Sequence, residues 1–156
     1  MVSDEEFLYF VDQALDGMAA ILADLGDGLA NERPALPGAN TPYAIVNHCL
    51  GVVEYWVGHL VAGRPVERDR PAEFTASGPV KDLVERVEVA KQQLRVDVAA
   101  AEFAAALPVE TPAEYLTTKP DLTQGAALLH VFEELAQHHG QLEISRDVIR
   151  HGWRGR

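Results

Sequence analysis

Apolar residues return at helical spacing in four long stretches of this chain. The first runs from about Ser3 to Leu29, where Phe7, Val11, Leu15, Met18, Leu22 and Leu25 recur every three or four residues. Ser3 followed by Glu6 forms a capping box that fixes its start. Residues 31–40 hold two prolines and a glycine and read as a loop. Thr41-Pro42 opens the second helix, with Thr as N-cap and Pro at the first helical position. That helix runs to about Ala62, where Gly63-Arg64-Pro65 ends it. The third runs from about Gly78 to Ala105, with Val80, Leu83, Val87, Leu94 and Val98 on its buried stripe. The fourth runs from about Leu122 to Arg150.

Between these helices lie two long connections. Residues 64–78 are charged, and residues 108–121 contain three prolines, with a short extended piece expected near Tyr115 to Thr118. No stretch has a strong strand signal. Four amphipathic helices of roughly 22–28 residues predict an all-α, up-down four-helix bundle. The whole chain, residues 1–156, is expected to form one domain.

Charge narrows the range of partners. The formal net charge is −11, with 24 acidic against 13 basic side chains and no basic patch. Binding through nucleic-acid phosphates or to an anionic membrane surface is therefore disfavoured. No apolar run approaches the roughly 18–20 residues of a membrane span. The single cysteine, Cys49, excludes an intramolecular disulfide and suits a reducing cytoplasm. Ser3-Asp4-Glu5-Glu6 is the opposite of a signal peptide's basic start. A cytoplasmic protein acting on a small molecule is the expectation.

The chemistry concentrates in the fourth helix. His130, Glu134, His138 and Gln141 follow one another at spacings of four, four and three. At about 100° per residue they fall within an arc of roughly 80°. They lie beside the apolar stripe of Leu128, Val131, Leu135 and Leu142, on the shoulder of the buried face. Glu134 and His138 are i,i+4 neighbours whose tips can meet at one point, half of a site for zinc or nickel. The same row also fits an inter-helix hydrogen-bond network that fixes bundle register.

His48 is the best candidate for the other half. Its apolar setting, Ile45 to Val53, equally suits a core histidine with its hydrogen bonds satisfied. His59 is eleven residues further on, about 16 Å along a helix, and cannot share an ion with His48. Tyr55 and Trp56 between them read as core and pocket wall. Cys49 reads as a small buried apolar residue, and His139 should face a neighbouring helix or a subunit interface. No GxSxG, P-loop, GxGxxG or CxxC motif is present.

Taken in order, Thr41-Pro42, Asn47-His48 and the fourth-helix run His-x3-Glu-x3-His-x-Gly-Gln-Leu resemble the DinB-like superfamily of four-helix metalloproteins. Within it they resemble the branch containing the mycothiol-dependent S-transferases. The segment Gly63 to Phe74 and the segment Glu134 to Asp147 share that branch's look, and the similarity spans roughly residues 5–150. The resemblance implies a divalent ion held by His48, Glu134 and His138. Many members carry histidine where this chain has Glu134; two histidines and a carboxylate remain a normal zinc set. Gln141 would then sit near the open face, with His130 one turn before Glu134, and Tyr55 and Arg64 near the pocket. Arg64, Arg68 and Arg70 could meet a carboxylate on the thiol, or form a solvated loop.

The expected function is therefore divalent-metal-dependent transfer of a low-molecular-weight thiol, mycothiol or similar, to a small electrophile. Metal-assisted hydrolysis or isomerisation is one alternative, and a non-catalytic metal-binding bundle is another. A homodimer is expected from the resemblance, with Leu129 and Ile144 as outward apolar residues.

Overall fold

The computed structural model describes residues 2–110 and 122–152. Among them the regular elements are helical: α1 (Asp4–Ala30), α2 (Pro42–Val53), a π-helical segment (Glu54–Val61), α3 (Arg70–Glu73), α4 (Val80–Ala99) and α5 (Gln124–His151). The caps sit where the sequence places them. The Ser3 hydroxyl accepts from the Glu6 N–H while the Glu6 carboxylate accepts from the Ser3 N–H. The Thr41 hydroxyl accepts from the Ala44 N–H ahead of Pro42, and Thr123 caps α5 through the Ala126 N–H.

Side-chain pairs give the direction of each helix. Asp12, Asp16 and Asp27 of α1 meet Arg95, Lys91 and the Val80 N–H of α4, so these two helices run antiparallel. Phe10, Gly17 and Asp24 of α1 lie against Phe132, His139 and Arg150 of α5, so these two are parallel. His48 and Trp56 meet His138 and His130, which makes the second long helix antiparallel to α5. The directions are up, down, down, up. The four-helix bundle thus contains one crossover, residues 62–79, which returns the chain so that α4 can run parallel to α2. That is why this connection is long.

The core fills from all four long helices, with Leu15, Met18, Ile45, Leu83, Leu128 and Leu135 fully buried. Three departures from simple helical periodicity stand out. α1 bends at Gly26, whose φ of 67° is open to glycine and strained for other residues. The second long helix widens after Val53, closing with bonds such as Ala62 N–H to Val57 O and Arg64 N–H to Gly58 O. Tyr55, Trp56 and Val57 of this widened stretch are all buried. The third long helix stops at Ala99, short of the expected Ala105. There the chain turns to pair with the start of α5: Gly125 N–H donates to Phe103 O, and Ala106 bridges Thr123. Tertiary pairing overrides the helical preference of an alanine-rich run. The extended piece expected at 115–118 lies outside the described residues.

Candidate metal centre

α2 and α5 cross where His48 faces Glu134 and His138. The three side chains each bring a donor atom within 4.8 Å of the others. The Glu134 Oε2 lies 3.7 Å from His48 Nε2 and 3.6 Å from His138 Nε2. These gaps are too long for hydrogen bonds. A tetrahedral ion with bonds of about 2.0–2.2 Å holds its donors roughly 3.3–3.6 Å apart, close to what is observed.

The far nitrogen of each imidazole decides what the near one can do. His48 Nδ1 is 2.7 Å from Glu73 Oε2. A carboxylate only accepts, so Nδ1 carries the proton and Nε2 presents a lone pair toward Glu134. Arg68 grips Glu73 in a forked ion pair: its Nε donates to Oε1 at 2.7 Å and its Nη2 to Oε2 at 3.0 Å. His138 Nδ1 donates to the Gln141 side-chain oxygen at 2.8 Å, which turns its Nε2 to the same point. Two imidazole lone pairs and a carboxylate thus converge, and among the described residues no hydrogen-bond donor is shown between them. Either a proton or a cation completes such a cluster. The carboxylate–histidine arrangement is the one that orients metal-binding imidazoles and raises their basicity.

The electrostatics agree. With a shared proton in the cluster, His138 first and then His48 hold the Glu134 carboxyl far below the usual range, with His130 adding to the effect against its burial. The Glu134 carboxylate in turn raises the His138 pKa, helped by Gln141 and opposed by burial.

The site is pressed together by close approaches. A Cβ on Gly51 would stand 2.3 Å from Glu73 Oε1, so only glycine lets this carboxylate lie against α2. Asn47 donates to the Glu73 backbone carbonyl and accepts from Arg86. Asp69 caps α3 through the Ala72 N–H, and Phe74 stacks on the His48 ring at 4.5 Å. The crossover therefore delivers Glu73 to His48 by both its backbone and its side chain.

Beside His48 and Glu134 opens a cavity of about 430 Å³, lined also by Val52, Trp56, Arg68, Arg70, Pro71 and His130. That volume suits a small molecule. The His130 ring tilts against Trp56 at 4.3 Å and forms one wall.

Over residues 6–151 the sequence matches the family model described as mycothiol-S-transferase. The chain belongs to this DinB-like family. A crystal structure of a conserved protein from Enterococcus faecalis shares the fold with a TM-score of 0.70. It is 14% identical, and the alignment covers 96% of this chain and 98% of that one. At that identity the likeness speaks for the fold alone. None of the curated proteins compared matches the sequence significantly.

In this mycothiol-S-transferase family member, the expected residues divide. His48, Glu134 and His138 come together, Gln141 holds His138, and His130 lines the cavity. Tyr55 is buried, and the guanidinium of Arg68, which lines the cavity, lies 5.5 Å over its ring. Arg64 goes elsewhere. Its guanidinium covers Gly58 and grips the buried Asp97 of α4, in a cleft of about 610 Å³ between α2 and α4. His59 bonds the Arg64 carbonyl, Cys49 is fully buried, and His139 packs on Gly17. Among the described residues no helix is long and apolar enough to cross a membrane.

Sequence reasoning gave Glu73 no role. Asp69 before Pro71 signals a short helix start, and that helix sets Glu73 at its end; the pairing with His48, 25 residues away, leaves no local signal.

Proposed function

We propose that this protein is a divalent-metal-dependent transferase that joins a low-molecular-weight thiol, of the mycothiol kind, to a small electrophile. The observation that carries the reading is the donor set: His48 Nε2, His138 Nε2 and a Glu134 oxygen, with both histidine tautomers fixed from behind and a cavity in front. Three protein donors beside an open cavity are the composition of a catalytic zinc site; a structural site closes with a fourth. Membership of the mycothiol-S-transferase family supports the choice of thiol.

An ion held there, zinc or nickel by the N,O donor set, would lower the pKa of a thiol placed beside it and keep it as thiolate at neutral pH. The protein's own residues do the rest. Glu73 and Gln141 hold the two imidazoles in the donor tautomer. Arg68 neutralises Glu73, so that carboxylate does not repel an approaching thiolate. Val52, Trp56 and Pro71 present apolar surface to the electrophile's body and limit water. In the reaction the sulfur–carbon bond forms as the leaving group departs with its bonding pair, and the thiol proton is released to solvent. Cys49 is no alternative nucleophile: burial, then the charges of Glu134 and Glu73, push its thiol pKa far up.

The test is metal content of the purified protein, followed by consumption of mycothiol, and separately of glutathione, with a chlorinated arene. Metal-dependent turnover lost in His48→Ala supports the proposal. No rate above background with either thiol, in protein shown to hold its metal, overturns it in favour of a non-catalytic metal-binding bundle.

A further inference from the structure

Ten lysine and arginine side chains fall among the described residues, and nine have a partner. Arg64 grips Asp97, Arg68 grips Glu73, and Lys81, Lys91, Arg95, Arg146 and Arg150 each meet a carboxylate. Arg33 donates to the Ala39 carbonyl and Arg86 to the Asn47 side chain. Arg70 alone, among the described residues, makes neither an ion pair nor a hydrogen bond. In a chain with 24 acidic side chains that is an unusual position for an arginine. Arg70 also lines the 430 Å³ cavity.

Its place is defined. Arg70 opens α3 directly after the Asp69 cap, and one turn later Phe74 offers its ring 5.8 Å from the guanidinium. Phe74 itself stacks on His48, so Arg70, Phe74 and His48 stand in succession between the cavity and the donor set. A guanidinium held over a ring by cation–π attraction keeps its N–H donors available to a ligand. The cavity's charges otherwise balance: Arg68 cancels Glu73, and Glu134 belongs to the donor set. The wall opposite in character is Val52, Trp56 and Pro71.

We infer that Arg70 is a specificity-determining residue, and that the electrophile accepted here is a small carboxylate-bearing molecule with a planar apolar body. Its carboxylate takes the in-plane N–H donors of Arg70 and its body lies on Trp56 and His130. The inference rests on the proposed transfer reaction for the word electrophile; the anion preference itself is a binding property that can be measured without any thiol.

The experiment uses two probes differing at one group, 4-chloro-3-nitrobenzoate and 4-chloro-3-nitrobenzamide. Each is titrated calorimetrically into zinc-loaded wild type, Arg70→Gln and Arg70→Lys, and into zinc-free wild type. The expected result is tighter binding of the benzoate by roughly tenfold or more, the scale of one hydrogen-bonded ion pair. That preference should vanish in Arg70→Gln, survive in part in Arg70→Lys, and persist without zinc. Arg70 is exposed, so its replacement leaves the fold intact. Equal affinities for the two probes in wild type overturn the inference. So does a preference kept in Arg70→Gln and lost on zinc removal, which assigns the carboxylate to the metal. Absence of thiol turnover with the Arg70-dependent preference intact would instead count against the transfer reaction alone.

Discussion

Replacing Glu73 by glutamine tests the least visible part of the site. The carboxylate accepts three bonds: Oε2 from His48 Nδ1 and Arg68 Nη2, and Oε1 from Arg68 Nε. Glutamine offers one acceptor oxygen and one NH2 group in the same space. With the oxygen kept toward His48, the amide NH2 confronts Arg68 Nε–H; with it reversed, His48 Nδ1–H loses its acceptor. Both partners are nearly enclosed, with Arg68 6% and Glu73 10% exposed along the side chain, so water replaces little of the loss. Loss of such a carboxylate behind a ligating histidine typically weakens metal binding by about 10–100-fold, or roughly 1.4–2.7 kcal/mol. The metal-free protein should lose about 1.5–3 kcal/mol as well, the range for a charged hydrogen bond. At this chain length that lowers Tm by roughly 3–12 °C. Zinc affinity measured by competition with a chromophoric chelator, and Tm by circular dichroism, are the assays. Gly51→Ala is the companion: its new Cβ would sit 2.3 Å from Glu73 Oε1 and displace the carboxylate with its charge intact, so zinc affinity should fall again. Zinc affinity within twofold of wild type in Glu73→Gln would refute the role given to Glu73.

Protons and the ion compete for the same atoms. Because the His138 pKa is raised and the Glu134 pKa is lowered by their pairing, zinc affinity should decline as pH falls from above neutrality into the range where His138 takes a proton. In metal-free protein the raised His138 adds stability that is complete below about 6.5 and lost as pH rises through its folded value; the depressed Glu134 adds stability above about 4.5 that is lost at lower pH. Chelated protein should therefore show its pair-dependent stability between those limits, and urea titrations of wild type against His138→Ala across pH 4–9 would read it. Two helix glycines should answer oppositely to alanine. Gly17→Ala drives a Cβ to 2.2 Å from the His139 ring and should cost about 1–3 kcal/mol, whereas Gly140 has nothing within 4 Å and Gly140→Ala should gain about 0.4–1 kcal/mol, both read from urea denaturation. Cys49 should resist a thiol reagent such as DTNB in the native protein and react fully in urea, since its side chain is enclosed and its thiolate disfavoured.

Much of the bundle is local in origin, and so was legible. The Ser3–Glu6 and Thr41-Pro42 caps and the apolar stripes follow from side-chain spacing within a single helix, which the chain carries wherever it packs. Glu134 and His138 were legible for the same reason, being one turn apart on α5. His48 stood out as a candidate, but the residues alone could not separate a ligand from a core histidine. Its meeting with α5 depends on how two helices cross. What the tertiary structure decided is of that non-local kind. The crossover 62–79 sets α4 parallel to α2, an outcome that helix lengths leave open. Helix packing sets Trp56, in the π-helical segment Glu54–Val61, against His130. Glu73 reaches His48 across 25 residues through Gly51 and Arg68, and Arg64 leaves the pocket for Asp97 while Arg70 stays at it. A periodic pattern records which face of a helix is buried; it holds no record of which other segment lies against that face. For this protein two of the three donor residues were written along α5, and the geometry that brings them to one place with His48 came from the packing of distant segments.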